Sequence, residues 1–91
     1  MFRLSSEVRS TRNQDGGILL DIHLGQMFRV NPIGALIVEA LGAGRNETEI
    51  ANEIAETCHI GMETIQSDIH AFLEDLENRG LVQRDSGGRF A

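Results

Sequence analysis

Cysteine, histidine and the carboxylates are the side chains here that bear chemistry, and their spacing decides whether any of it is catalytic. Cys58 and His59 are adjacent, and neighbours on a helix point in different directions, so they make no ready nucleophile–base pair. Cys58 falls in step with Ile50, Ala51, Ile54 and Ala55, the apolar side of a helix, where a thiol is buried and inert. His23 and His70 have no partner at a spacing that matches a known metal site, and His70 belongs to the polar side of its helix. Gly42 and Gly44 follow a helix instead of joining a strand to one, so they form no phosphate loop. These residues predict no enzyme, no metal and no cofactor.

The carboxylates have a different meaning. Among 91 residues there are 8 arginines, no lysine and 14 Asp plus Glu, for a formal charge of −6. Residues 46–78 read as two helices joined by a short turn, the outline of a helix-turn-helix, and the sheet expected before them suits a winged variant. Those residues hold nine acids (Glu47, Glu49, Glu53, Glu56, Glu63, Asp68, Glu74, Asp75, Glu77) and no Arg or Lys. Each phosphate contact needs a cation that releases counterions. A winged-helix DNA-binding transcription regulator is therefore the alternative reading, with the outline right and the charge wrong, and most of the acids read as a solvated helix face. Nucleic acid and anionic membrane are both poor partners for such a chain.

Size and cysteine count set the remaining bounds. The length suits one domain with a modest core. A single cysteine permits no internal disulfide, and the opening Met-Phe-Arg-Leu-Ser-Ser-Glu lacks the apolar segment of a secretory signal, so the expected location is cytoplasmic. The longest apolar run, Ile33 to Val38, is too short to cross a bilayer.

The elements are organised around Gly25 to Gly44. Met27 to Val30 is an apolar and β-branched run that reads as a strand. Asn31 suits a helix N-cap, and Pro32 fits the first helical position while pushing Asn31 into the extended conformation a cap requires. Upstream, Val8 to Gln14 is a weak first strand, Asp15-Gly16-Gly17 a hairpin turn, and Ile18 to Leu24 the clearest strand. In that strand Leu20, Ile22 and Leu24 alternate with Leu19, Asp21 and His23. Gly25-Gln26 connects to the third strand, Met27 to Asn31, with Phe28 and Val30 toward the core and Met27 and Arg29 toward solvent. Residues 1–7 show no clear period and read as an extended arm or a loose lead-in.

Downstream, three helices are expected. The first runs from Pro32 to about Leu41, burying Ile33, Leu36, Ile37, Ala40 and Leu41, and ends at Gly42-Ala43-Gly44. Asn46 with Glu49 is a capping box for the second. The third covers Met62 to Arg79, with Met62, Ile65, Ile69, Phe72, Leu73 and Leu76 at three- and four-residue steps. Burying those six is worth on the order of 10 kcal/mol before entropy. Gly80 stops it, Leu81-Val82 tucks back onto the core, and residues 85–91 read as a disordered tail after a domain spanning 1–84. The fold class is α+β: a three-stranded antiparallel meander, then three helices, winged helix-turn-helix-like.

A meander leaves its third strand at an edge, and an apolar edge is a liability unless something pairs with it. Either the edge is short and charged enough to be harmless, or a partner segment adds as a fourth strand beside helix three. The residues alone leave these two open.

The chain resembles the PqqD-like family of leader-peptide recognition domains from ribosomally made, post-translationally modified peptide pathways. The residues that carry the resemblance are Asp15-Gly16-Gly17-Ile18-Leu19-Leu20-Asp21; Gly25 with Phe28, Val30, Asn31 and Gly34; Leu41, Gly44 and Glu49-Ile50; and Asp68-Ile69, Phe72-Leu73, Leu76 and Gly80-Leu81-Val82. Their order and spacing extend over residues 8–84. The resemblance implies a leader peptide bound along strand three and over helix three, no activity of the domain's own, and delivery of the precursor to a tailoring enzyme, often a radical SAM protein. It points to Gln26, Met27, Phe28, Arg29 and Val30 for strand pairing, and to Asp68, Phe72, Asp75 and Arg79 for the wall on helix three. Phe72 would offer apolar area, the two acids would favour a basic or polar leader residue, and Arg29 would meet a leader acid. Leu24-Gly25-Gln26 stands where members serving pyrroloquinoline quinone synthesis tend to have Pro-Glu, so another peptide pathway is at least as well supported. Asn46 replaces the Thr or Ser that often begins helix two, a conservative change for a cap. A subunit of a larger complex, using the same edge against a protein, is a further reading.

Overall fold

The structure, a computed structural model, describes residues 2–84; the tail expected at 85–91 lies outside the described residues. Eight elements follow in order: β1 (Phe2–Leu4), β2 (Val8–Asn13), β3 (Gly16–Asp21), β4 (Gln26–Val30), α1 (Pro32–Gly42), α2 (Glu47–Cys58), α3 (Met62–Asn78) and β5 (Val82–Arg84). The expected meander is β2–β3–β4, antiparallel in that order, so the third strand of the sequence reading is β4 and lies at an edge.

Helix chemistry explains the boundaries. Asn31 is extended at φ −74° and ψ 173°, and its Oδ1 accepts the Gly34 N–H at 2.7 Å, with Pro32 opening the helix. Asn46 Oδ1 accepts the Glu49 N–H at 2.8 Å, and the Asn46 N–H donates back to Glu49 Oε1 at 3.0 Å. At the far end of α3 the Leu81 N–H bonds the Leu76 carbonyl at 2.9 Å and the Gly80 N–H the Glu77 carbonyl at 3.0 Å, the paired bonds of a Schellman stop. Because Asn31 is both the last extended residue and the cap, Asn31→Ala is expected to cost about 1 kcal/mol. A denaturant midpoint lowered at constant slope is the sign of it; an unchanged midpoint would mean the cap is not needed.

The core lies between the sheet and the helices, with Leu19, Val38, Ile50, Ile65, Ile69, Leu73 and Leu81 fully buried. Helix α1 departs from the single stripe expected of it. Ala35 and Val38 are buried with Ile37 and Leu41, whereas Ile33, Leu36 and Ala40 are only half-buried. The reason is its position: α1 packs on β1, β2 and β3 and also on α2, so more than one face is covered.

Two other expectations change. Of the two readings of the N-terminal residues the extended arm holds, over Phe2–Leu4, and Leu81-Val82 does more than tuck back. Phe2–Leu4 and Val82–Arg84 pair as a second, two-stranded antiparallel sheet, with the Arg84 guanidinium 4.5 Å from the centre of the Phe2 ring. Strand β3 also ends at Asp21, before the expected Leu24. Asp21 is only 6% exposed; its carbonyl accepts the Gly25 N–H at 2.7 Å and its carboxylate the Leu24 N–H at 3.2 Å. Those two bonds bend the chain into a turn that a continued strand could not make.

Candidate functional site: the open edge of β4 and the groove beside it

Which backbone groups the edge presents is set by ladder alternation. In an antiparallel strand the N–H and C=O of one residue point to one side, and those of the next to the other. The Ile22 N–H bonds back toward β2, to the Glu7 carbonyl at 2.9 Å. Leu20 and Ile18 therefore address β2, and Asp21, Leu19 and Gly17 address β4. Their register partners Gln26, Phe28 and Val30 point inward to β3. The N–H and C=O groups of Met27 and Arg29 are left on the open edge.

Beside that edge is a groove of about 570 Å³. The end of β4 supplies Arg29, Val30 and Asn31; α1 supplies Ile33, Gly34 and Ile37; Ile60 comes from the α2–α3 turn; and α3 supplies Ile65, Asp68, Ala71 and Phe72. Its floor is apolar. Phe72 lies against Gly34 so closely that a Cβ there would sit 3.1 Å from Phe72 Cζ, so the glycine lets the ring settle into the groove. Charge is confined to the rim, with Arg29 from the strand and Asp68 from the helix, both exposed. Neither is in an ion pair among the described residues.

The nine residues anticipated for peptide binding divide by position. Arg29, Val30, Asp68 and Phe72 line the groove together. Phe28, Asp75 and Arg79 make an adjoining cluster: the Arg79 guanidinium stands 5.7 Å from the centre of the Phe28 ring, and its Nε donates to Asp75 Oδ2 at 3.0 Å. Asp75 thus already has a partner. Met27 points outward, and Gln26 lies at the hairpin end opposite Asp21; neither lines the groove. The floor residues Ile33, Ile37, Ile60 and Ile65 were not anticipated as part of a site, because Ile33, Ile37 and Ile65 carry the ordinary signal of a core position and Ile60 falls in the break between two helices. Among the described residues no cluster of three His, Cys, Asp or Glu side chains is placed to hold a metal ion, and no helix is long and apolar enough to cross a membrane.

The sequence profile described as "Coenzyme PQQ synthesis protein D (PqqD)" matches residues 16–82. Solved structures share the fold over most of their length. TbiB1 in complex with the TbiA(beta) leader peptide is 26% identical at a TM-score of 0.81, over 98% of this chain and 99% of that one. A lasso peptide synthetase B1 complexed with the leader peptide is 26% identical at a TM-score of 0.79, over 91% and 98%. The PqqD truncation of Methylobacterium extorquens PqqCD, described as a stand-alone recognition element for ribosomally synthesized and post-translationally modified peptides, is 23% identical at a TM-score of 0.76, over 91% and 88%; at that identity the likeness is one of fold. No curated protein sequence matches the chain.

Proposed function

The chain belongs to the PqqD family, and on that footing we propose that it binds the leader of a ribosomally made precursor peptide and presents it to a modifying enzyme. The observation that carries the proposal is the open edge of β4 running beside an apolar groove. An extended peptide adds to such an edge through its backbone and places alternate side chains in the groove. Gln26 to Val30 form the pairing segment, with Met27 and Arg29 making the bonds. Phe72 and the isoleucine floor take an apolar leader side chain, and Arg79 stacked on Phe28 closes one end. Arg29 and Asp68 select charge at the rim, whereas Asp75 acts by holding Arg79. The protein has no reaction of its own in this reading; the chemistry is the enzyme's, a radical SAM protein being one kind that fits. The likeness to two structures holding leader peptides supports the reading.

An NMR titration with the cognate leader tests it. Amides of residues 26–30 and of α3 around Asp68 and Phe72 are expected to shift together. Shifts confined to α1 and α2, with residues 26–30 unmoved, would overturn the binding mode.

The DNA alternative gains nothing from the structure. Helices α2 and α3 present nine acids and no cation, so a duplex would meet like charge. Fluorescence anisotropy with duplex DNA at low salt, where electrostatic attraction is greatest, is expected to show no submicromolar binding. Salt-sensitive binding at that level would restore the regulator reading.

A further inference from the structure

We propose that the outer face of the β2–β3–β4 sheet is the docking surface for the modifying enzyme, and that the enzyme meets it with a patch apolar at the centre and rimmed by carboxylates. The identity of the partner rests on the leader-presenting function. The location and chemistry of the surface rest on the sheet's exposed side chains and their register.

Leu20, Ile22, Leu24 and Met27 are 37%, 49%, 61% and 68% exposed. They are not scattered. Leu20 lies directly opposite Met27 in the β3–β4 register, and Arg9 directly opposite Leu20 in the β2–β3 register, so one row crosses the sheet as Arg9, Leu20, Met27. In the next row Thr11, Ile18 and Arg29 stand in line. Ile22 continues from the end of β3, tied to Glu7 by its N–H. Leu24 is held by the buried Asp21, whose carboxylate accepts its N–H. Leu20 and Met27 are thus presented side by side on fixed backbone, with Ile22 and Leu24 exposed in the turn that joins their strands, and exposed apolar surface with a polar rim marks a contact site.

Charge identifies the occupant. Arg9 and Arg29 flank the patch, and neither pairs with a carboxylate among the described residues. Arg9 instead donates to the Ser6 carbonyl at 2.9 Å, which keeps its guanidinium at the border. A second copy of the same face, paired about a two-fold axis, would set these cations against each other. Polyanions are repelled by the net charge of −6. A protein surface with an apolar centre and acidic rim satisfies both features. Met27 also stands on the strand that takes the leader, so the docked enzyme would lie next to the bound precursor.

The test measures binding of the purified modifying enzyme of the same peptide pathway to the leader-loaded protein. Wild type is compared with Leu24→Glu, Leu24→Ser and Arg9→Glu, while leader affinity is followed separately by anisotropy. Leu24→Glu is expected to weaken enzyme binding by about tenfold or more, as loss of an interface anchor does. Arg9→Glu should weaken it several-fold, chiefly at low salt, with leader affinity within about twofold throughout. Leu24→Ser, which removes the side chain without adding charge, should weaken it in the same direction. Unchanged enzyme binding in Leu24→Glu would overturn the proposal. So would an equal loss of leader affinity, or a wild-type dimer in sedimentation that Leu24→Glu converts to monomer. If the leader fails to bind wild type, the proposed function falls, and the enzyme measurement repeated without leader still decides the docking face.

Discussion

Gly16→Ala is expected to lower the thermal midpoint by about 12 to 24 °C. Gly16 opens β3 at φ +134°, a conformation reserved in practice for glycine, and forcing another residue into it costs about 1–3 kcal/mol. Space is the second obstacle. A Cβ at this position would lie 2.1 Å from the Val30 carbonyl oxygen and 3.2 Å from the carbonyl carbon and Cα of Asn31. All three are backbone atoms at the junction of β4 and α1, so no side chain can swing aside to make room. Shifting them disturbs the Asn31 cap and the end of the edge strand together. Overpacking of this kind adds about 1–3 kcal/mol, for a central sum of about 4 kcal/mol. We take about 3 kcal/mol as the part relaxation cannot relieve, at roughly 4–8 °C per kcal/mol for a chain of this size. The contrast is Gly61→Ser, where φ is −61° and nothing lies near an added Cβ; its stability should change by less than about 0.5 kcal/mol, a midpoint shift of under about 4 °C. Melting curves followed by circular dichroism decide the matter. A Gly16→Ala midpoint equal to wild type would mean the hairpin does not approach the β4–α1 junction as described.

The parts of this fold that were legible in the sequence are those fixed by local chemistry. Asn31-Pro32 states a strand end, a cap and a first helical turn within two residues, and Asn46 with Glu49 states the next helix start, because each involves hydrogen bonds between near neighbours. The β1–β5 sheet was not legible. Its strands have three residues each and are paired across nearly the whole chain, as Phe2 with Arg84, and so short a stretch has no period to read. Asp21 shows a different limit: alternation put it on a face with Leu19, but its buried role as acceptor for the Leu24 N–H belongs to turn geometry. The open edge strand was legible, since a meander must end somewhere. The groove floor was not, because Ile33, Ile37, Ile60 and Ile65 come from three separate segments and line one groove only through the spacing of α1 and α3 beside β4.

That division locates the sharpest test of strand addition in the backbone. Arg29→Pro is expected to weaken leader binding by about thirtyfold while leaving the fold intact. Only Met27 and Arg29 offer edge donors and acceptors, so pairing makes about four hydrogen bonds, worth roughly 0.5–1.5 kcal/mol each. Micromolar affinity needs about 8 kcal/mol, so the groove must supply much of the rest, and one lost bond cannot abolish binding. Proline removes the Arg29 donor and sets its ring in the path of the incoming strand, for a loss of about 2 kcal/mol. The fold should tolerate it, since proline is accepted on an edge strand where its missing N–H faced outward. Arg29→Ala isolates the side chain, whose exposed ion pairing is worth about 0–1 kcal/mol, or up to about fivefold. Phe28→Pro provides the parity control: its N–H points to β3, so it should damage stability before binding. Asp68→Lys, at an exposed rim position, should change which leader charge is preferred, whereas Asp75→Lys would first break the pair with Arg79. Leader titrations by anisotropy, with melting curves on each variant, separate these effects. Equal losses in Arg29→Pro and Arg29→Ala would mean that the side chain, and not the open edge, holds the peptide.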